Sequence, residues 1–267
     1  MVRNFSAEFR SFLESQKIDF SENGSLIYIS KPAITIRLAI LDESSAFQSE
    51  RANITLYEDE WYTKFSLISN RLLANLGRQN SVFARNCMVR SVSTEEAKFF
   101  LNRNHILGFT KGRYKYGLFT MKRVEDIAEG ALVAVAMFSA PRPMERGSKV
   151  VQSYEWVRYA SIGNYRVVGG MGKLMSYFIE QQTPQEIMTY ADKDWSDGDV
   201  YKKLGFVYQS ETEPIEFYVN RLSLERISIK KLRNDRKYDT LEPDANDFIH
   251  LRNQGNLKFL WSSPLNK

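Results

Sequence analysis

Arg166-Val-Val-Gly-Gly-Met-Gly-Lys-Leu174 is the stretch on which the fold turns. Its glycines free the backbone to turn tightly and to come close to a ligand. The apolar run Val150–Tyr159 before it reads as a strand, and the segment from about Gly172 to Gln181 reads as a helix. A helix start leaves several N–H groups unpaired and carries a partial positive charge, so phosphate is a natural guest there. The run has neither P-loop spacing nor the G-x-G-x-x-G pattern of dinucleotide sites. Two readings stand side by side. Val168, Gly169, Gly170, Met171, Gly172 and Lys173 form a phosphate cradle, or they form a tight strand-to-helix connection with no ligand.

Outward from this turn, strands are expected at Val82–Val92, Lys115–Thr120, Ala131–Ser139, Glu186–Tyr190 and Phe206–Gln209. The run Ala131–Ser139 is almost wholly apolar, which places it centrally in a sheet. Ser93-Thr94-Glu95-Glu96 sets a hydroxyl three residues before a glutamate, the pattern of a capping box, and predicts a helix to about Asn104. A short helix is expected around Asp199–Leu204. The result is a mixed α/β domain over 81–220. Residues 1–80 read as a smaller α/β domain. It opens with an amphipathic helix carrying Phe5, Phe9, Phe12 and Leu13 on one face, followed by strands at Leu26–Ile29, Ala33–Leu41 and Ile54–Tyr57. A helix from Glu58 to Leu76 then ends at Gly77, a C-cap glycine. The remainder, 221–267, is a basic extension. Arg221–Lys237 carries seven Lys or Arg against two acids, and the end regains Phe248, Leu251, Leu257, Phe259, Leu260 and Trp261.

Composition narrows the chemistry. The chain has 267 residues, one cysteine (Cys87) and two histidines (His105, His250). An intrachain disulfide, a Cys-based zinc site and a multi-His metal centre are therefore excluded, and no metal is expected. The formal charge of +5 gives a mild bias toward anionic partners. The N-terminus does not read as a signal peptide, and no apolar run reaches membrane-spanning length. The expectation is a soluble protein of a reducing, cytoplasmic compartment.

A second motif, Val200-Tyr201-Lys202-Lys203-Leu204-Gly205-Phe206, follows the glycine turn with a strand between them. Together the two resemble the GNAT acyltransferases. In that family an [RQ]-x-x-G-x-[GA] turn cradles the pyrophosphate of acyl-coenzyme A, and a later Y-x-x-x-G-F segment closes the site. Gly170-Met171-Gly172 matches the glycines, while Val167 stands where Arg or Gln is expected. The resemblance implies a GNAT-like acyltransferase fold, a mixed central sheet with flanking helices, and acyl-CoA as the cofactor. It also makes Tyr201 a general acid toward the departing thiolate. A phenol still holds its proton at neutral pH and can serve so. A tyrosine packing a helix on the sheet is the equal alternative.

A narrower pattern runs through Asn104-His105-Ile-Leu-Gly108, Tyr116-Gly117, Phe138-Ser139, Tyr154-Glu155-x-x-Arg158, Val168-Gly-Gly and Thr189-Tyr-Ala-Asp192-x-x-Trp195. It resembles the GNAT-like domain of phage homing endonucleases and, through it, the Mom DNA-modification proteins. That resemblance implies a phage-type DNA-associated protein, with a nucleobase flipped into the pocket as substrate. Ile54–Trp61 and the residues after it resemble the end of a very-short-patch-repair-like nuclease domain. Leu26 and Arg37 stand where that domain has its metal-binding acids, with Asp42 and Glu43 out of register, so the N-terminal part is expected to be an inactive nuclease remnant. DNA phosphates would be met by Arg221, Arg226, Lys230, Lys231 and Arg233, although a charge run is more often a solvated face.

His105, Glu155, Arg158, Tyr190 and Asp192 are the polar residues expected around a pocket. His105 is a base, a single metal ligand or a structural histidine. Glu155 is a candidate general base for an amine. Pairing with Arg158 is disfavoured, because i and i+3 of a regular strand point to opposite faces. Asp192 is either a site residue at a strand end or the cap of the turn that follows. Three functions remain: nucleobase modification, ordinary acyl-CoA-dependent N-acyl transfer, and non-catalytic nucleic-acid binding.

Overall fold

A computed structural model describes residues 4–41, 52–229, 232 and 247–264. The elements run α1 (Phe5–Ser15), β1 (Ser21–Asn23), β2 (Leu26–Ser30), β3 (Ala33–Ala39), β4 (Ile54–Tyr57), α2 (Glu58–Thr63), α3 (Phe65–Asn75), β5 (Asn80–Phe83), β6 (Cys87–Ser91), α4 (Thr94–Asn104), β7 (Tyr114–Thr120), β8 (Leu132–Phe138), β9 (Arg142–Arg146) and β10 (Lys149–Ser161). They continue with β11 (Tyr165–Val168), α5 (Gly170–Gln182), β12 (Glu186–Asp192), α6 (Asp199–Lys203), β13 (Val207–Glu211), β14 (Glu216–Asn220), β15 (Arg226–Ser228), β16 (Phe248–Arg252) and β17 (Asn256–Ser262). No helix among the described residues is long and apolar enough to cross a membrane.

The chain forms two compact units, and neither is continuous in sequence. One takes Met1–Ser69, Ala191–Asp197 and Glu211–Leu257; the other takes Asn70–Tyr190, Gly198–Ser210 and Lys258–Lys267. Divisions at 80 and 220 read from the sequence are contiguous, whereas the chain passes from one unit to the other several times.

The second unit is the mixed α/β domain. Its main sheet has the order β13-β17-β12-β10-β8-β7-β6, with β9 paired to β10. The central place of β8 explains its composition: six of its seven residues are buried. Val135 and Met137 join Ala97, Phe100 and Leu101 of α4 in one core. On the other face Phe138 stacks on Phe178 of α5, with centroids 3.8 Å apart and planes at 5°. Each fully buried side chain of this size contributes about 1.5–3 kcal/mol, so covering both faces holds the sheet between its helices. The capping box of α4 is present: Ser93 Oγ accepts from Glu96 N, and Glu96 accepts from Ser93 N.

Three features differ from the sequence expectation. The segment expected as one strand over Val82–Val92 is two, β5 and β6, separated by a 3-10 turn at Ala84–Asn86. The strand before the glycine turn is the short β11, which pairs in parallel with β5 outside the main sheet. Between β12 and β13 lies β17, supplied by the C-terminal end of the chain.

The first unit carries the four-stranded sheet β1-β2-β3-β4 and the three-stranded sheet β15-β14-β16. Leu41 and Tyr57 share a core with Val219, Leu224, Ile249 and Leu251. Where one helix is expected over Glu58–Leu76, the chain makes α2 and α3, broken at Lys64 with φ −135° and ψ 31°. Gly77 does take the left-handed conformation that closes α3 (φ +67°). In the β2–β3 ladder Leu26 faces Arg37 directly. Asp42 and Glu43 lie outside the described residues.

Candidate functional site

The glycine turn sits between β11 and α5. Gly169 is the N-cap residue of α5 in the left-handed conformation (φ +76°), which only glycine adopts readily. Gly170 is fixed by packing: a Cβ there would meet the Tyr159 hydroxyl at 2.6 Å and Val167 Cγ1 at 2.9 Å. Gly172 is different. It has no positive φ, and a Cβ there would meet nothing nearer than Leu204 Cδ2 at 3.4 Å. Its lack of a side chain leaves room over the first turn of α5, where the N–H groups of Gly170, Met171 and Gly172 emerge. Lys173 belongs to the scaffold, because its ammonium donates to the carbonyls of Ala84 and Cys87. Val168 is exposed and Met171 half-buried beside the turn.

The main sheet opens near this turn. β10 and β12 pair in parallel at Ser153↔Glu186, Tyr154↔Ile187 and Glu155↔Met188. β10 nevertheless runs on to Ser161 and β12 to Asp192 without further pairing to each other. At the same level β10 slips against β8, from Trp156↔Phe138 to Arg158↔Met137, a bulge at Val157. The ladder between the two parallel strands ends there, and beyond it Thr189 of β12 reaches the Trp156 carbonyl through its side chain. Tyr159, just past the bulge, is the residue against which Gly170 packs.

The bulge also overturns the expectation for Glu155 and Arg158. In a regular strand they would face opposite ways. With one residue inserted, Arg158 aligns with Met137 on the α4 side of the sheet, where Glu155 also lies. The carboxylate of Glu155 accordingly supports the charge on Arg158, although burial is the larger influence and pulls the Arg158 pKa below its usual value. Arg158 donates from Nε to the Gly108 carbonyl (3.3 Å) and from Nη1 to the Val157 carbonyl (2.9 Å).

His105 is the C-cap residue of α4, its N–H donating to the Leu101 carbonyl. Its Nδ1 accepts from the Leu107 N–H at 3.1 Å, so any ring proton is on Nε2. Burial, then the guanidinium charges of Arg158 and Arg71, push its pKa down to about 3. A neutral imidazole between two cations is a hydrogen-bonding group at physiological pH. Tyr190 has its pKa raised by burial and by Glu155. Four of the five residues expected around a pocket, His105, Glu155, Arg158 and Tyr190, thus act on one another in this unit, joined by Arg71. Sequence reasoning missed Arg71. It lies on a helix with no local motif, and nothing in its neighbours marks it.

Asp192 stands apart from that group. It lies in the segment that belongs to the first unit. Its Oδ1 accepts from Asp194 N (3.0 Å), and its carbonyl accepts from Trp195 N and Ser196 N. This is the turn-capping alternative, an Asx-type arrangement. Tyr201 in α6 is half-buried among Trp156, Phe206 and Phe259 and shares a hydrogen bond with Thr189. Thr189 lies on β12 beyond the last pair with β10 and donates to the Trp156 carbonyl at 3.2 Å. Tyr201 therefore packs a helix on the sheet and also presents its hydroxyl at the opening. Burial holds that hydroxyl protonated by raising its pKa.

Of the five basic residues expected to meet phosphates, Arg226 is otherwise engaged. Its half-buried guanidinium makes a bidentate pair with the buried Asp59, both contacts 2.6 Å, and lies over the rings of Tyr57 and Phe217. Arg221 is exposed. Lys230, Lys231 and Arg233 lie outside the described residues. The described residues contain no group of three or more His, Cys, Asp or Glu able to hold a metal ion.

No protein-family model and no curated protein matches the sequence. Among solved structures, the chain is similar to the NatC complex bound to Gag peptide and CoA. The identity is 11% and the TM-score 0.38, over 67% of this chain and 99% of that one. It is similar to a Bacillus subtilis acetyltransferase in complex with CoA, at 13% identity and TM-score 0.37, covering 66% and 99%. It is also similar to Arabidopsis thaliana NAA60 in complex with acetyl-CoA, at 7% identity and TM-score 0.40, covering 66% and 99%.

Proposed function

We propose that the second unit is a GNAT-type N-acyltransferase that moves an acyl group from a coenzyme A thioester to an amine. One observation carries this reading: the ladder between two parallel strands, β10 and β12, ends at a bulge beside the glycine-rich start of α5. A linear ligand with an anionic end fits that arrangement. The N–H groups at Gly170 to Gly172 and the positive end of the α5 dipole would receive its phosphates, in the space that the missing Gly172 side chain leaves. The edge of β10 beyond the ladder offers backbone partners to the amide-bearing arm.

A bound acyl-coenzyme A supplies the electrophilic carbonyl and the sulfur that leaves it. The chain supplies the proton transfers. Glu155 on the face shared with Arg158 accepts a proton from the incoming ammonium, since a carboxylate within reach of an amine is a competent base. Tyr201 donates its phenolic proton to the departing sulfur, and its half-buried setting keeps that proton in place until it is needed. His105 stays neutral and orients polar groups beside Arg158.

No geometric feature among the described residues favours a nucleobase over a small amine as acceptor. The deciding experiment is a calorimetric titration with coenzyme A, together with an assay of thiol release from acetyl-coenzyme A in the presence of amines. Micromolar binding, and thiol release that falls about 10²–10⁴-fold in Glu155→Gln, is the expected result. No binding and no release at millimolar coenzyme A would exclude the reading.

A further inference from the structure

Arg158 is the charged group of this site whose partners do not balance its charge. Its recorded hydrogen bonds go to two backbone carbonyls, of Gly108 and Val157. Among the described residues it makes no ion pair, in contrast with Arg226 and its carboxylate partner Asp59. The bulge at Val157 turns it to the face that carries Glu155. Its two carbonyl bonds hold Nε and Nη1 and so fix the plane of the guanidinium. Nη2 has no partner among the described residues. A planar guanidinium held in this way is pre-organised for a carboxylate or phosphate, because its fork matches their oxygens. The neighbouring ring of His105 does not compete for such an anion as a cation would. Its Nδ1 is committed to the Leu107 N–H, and its Nε2 can donate as a neutral N–H.

We infer that the acceptor amine carries a carboxylate or phosphate close to its nitrogen, and that Arg158 receives that anionic group while Glu155 faces the amine. This rests on the N-acyltransferase reading and names its substrate class. Base and anion receptor are three residues apart in sequence and brought to one face by the bulge, so they match an acceptor whose amine and anion are separated by a few bonds. Arg158 acts here as a specificity-determining residue, with the proton transfer assigned to Glu155.

The test uses matched acceptors with the full chain and acetyl-coenzyme A. Amino acids are compared with their α-carboxamides, and O-phosphoethanolamine with ethanolamine. Carboxamides are the less basic amines and hold more free amine at neutral pH, so simple reactivity favours them. The expected result is the reverse, with kcat/KM higher for the anionic member of a pair by at least about tenfold. Arg158→Gln should raise KM for the anionic member and erase the preference between the two members of a pair. Whether amino acids or phosphoethanolamine show the preference tells carboxylate from phosphate. Equal or better use of the neutral members, or a preference that survives Arg158→Gln, overturns the inference and leaves acyl transfer standing. Thermal unfolding with each acceptor alone gives a second readout independent of coenzyme A. Stabilisation by the anionic members, lost in Arg158→Gln, supports Arg158 as the anion receptor even if coenzyme A fails to bind, in which case only acyl transfer is lost. Stabilisation by neither member of any pair, with no turnover of an anionic acceptor, overturns it.

Discussion

Arg226 in the first unit and Arg158 in the second are both withdrawn from water, yet they have opposite surroundings. Burial lowers the Arg226 pKa, but the hydrogen bonds it donates to Asp59 and the charges of Asp59 and Glu60 outweigh it, and the net shift is upward. Around Arg158 burial prevails and the net shift is downward. The first arginine is closed off by its carboxylates and by the rings of Tyr57 and Phe217. The second keeps a donor, Nη2, that no atom of the described residues takes. A buried arginine whose charge is matched belongs to the architecture, whereas one whose charge is left over points to a ligand. The basic run Arg221–Lys237 looks uniform in sequence, yet within it Arg221 is exposed and Arg226 is paired with Asp59.

The largest test of the contrast is Asp59→Ala. It leaves the Arg226 guanidinium buried with its main partner gone, a situation that destabilises by about 3–5 kcal/mol. Urea titration should show a large fall in midpoint. Replacing both partners, Asp59→Leu with Arg226→Met, should restore most of it. Arg158→Gln, by comparison, removes two hydrogen bonds to backbone carbonyls at a partly exposed site and should lower stability by about 1–2 kcal/mol. If the two arginines give equal losses, the distinction between them fails.

A smaller effect separates the two glycines at the start of α5. Gly170→Ala drives a methyl into Tyr159 and Val167 and should cost about 1–3 kcal/mol. Gly172→Ala meets only Leu204 at 3.4 Å, and alanine is the better helix residue. Stability should therefore hold or rise by up to about 1 kcal/mol. Coenzyme A affinity should fall in the same variant, because the methyl enters the space proposed for phosphate. Unchanged affinity in Gly172→Ala would remove the cradle from the site.

These comparisons also show what could be read before any coordinates. The α4 capping box, Gly77 and the core placement of β8 depend on neighbours within a few residues or on apolar runs, and they appear in the chain as expected. The glycine turn was equally visible, but the separate reasons for Gly169, Gly170 and Gly172 lie in φ and in packing against Tyr159 and Leu204. His105 and Tyr190 were recognisable as polar residues near a helix or strand end, and Glu155 as a polar residue within a strand. That Glu155 and Arg158 share a face was not, because a bulge at Val157 leaves no mark in residue type. The break of α2 from α3 at Lys64 has no glycine or proline to announce it. The Asp59–Arg226 pair joins residues 167 apart in sequence, and β17 enters the sheet between β12 and β13 from the chain's far end. Long-range pairings of this kind carry no local signature.

Two titrating groups extend the comparison of the units to pH. His105 in the second unit has a folded pKa of about 3, below its ordinary 6.5. The unfolded chain then binds more protons between those values, so this group's contribution is lost as pH falls from 6.5 toward 3. Asp194 in the first unit, buried and bonded to the Tyr57 hydroxyl at 3.0 Å, has its pKa raised from 3.8 to about 7, by burial first and then by Asp192. Here the folded chain binds more protons between 3.8 and 7, so stability is lost as pH rises through that window. The two slopes oppose each other between pH 4 and 6.5. Measured by denaturant midpoint against pH, His105→Asn should remove the acid-side loss, and Asp194→Asn should remove the decline toward pH 7. Slopes of the same sign in the two variants would contradict the assignment.

The smallest expected effect isolates burial from geometry. Arg10 and Glu22 in the first unit also form an arginine–carboxylate contact, with Nη1 at 3.2 and 3.0 Å from the two oxygens. Their side chains are 38% and 42% exposed, against 14% and 1% for Arg226 and Asp59. Water screens the exposed pair and solvates either partner once the other is gone, so little is lost on removal. Arg10→Ala should lower stability by about 0.2–1 kcal/mol, and the difference should vanish in 1 M salt, where the Debye length is about 3 Å. The Asp59→Ala loss should persist in the same buffer, since its main term is the desolvation of Arg226 rather than long-range attraction. If both losses fell together with salt, the arginine of the first unit would be no more closed off than a surface residue.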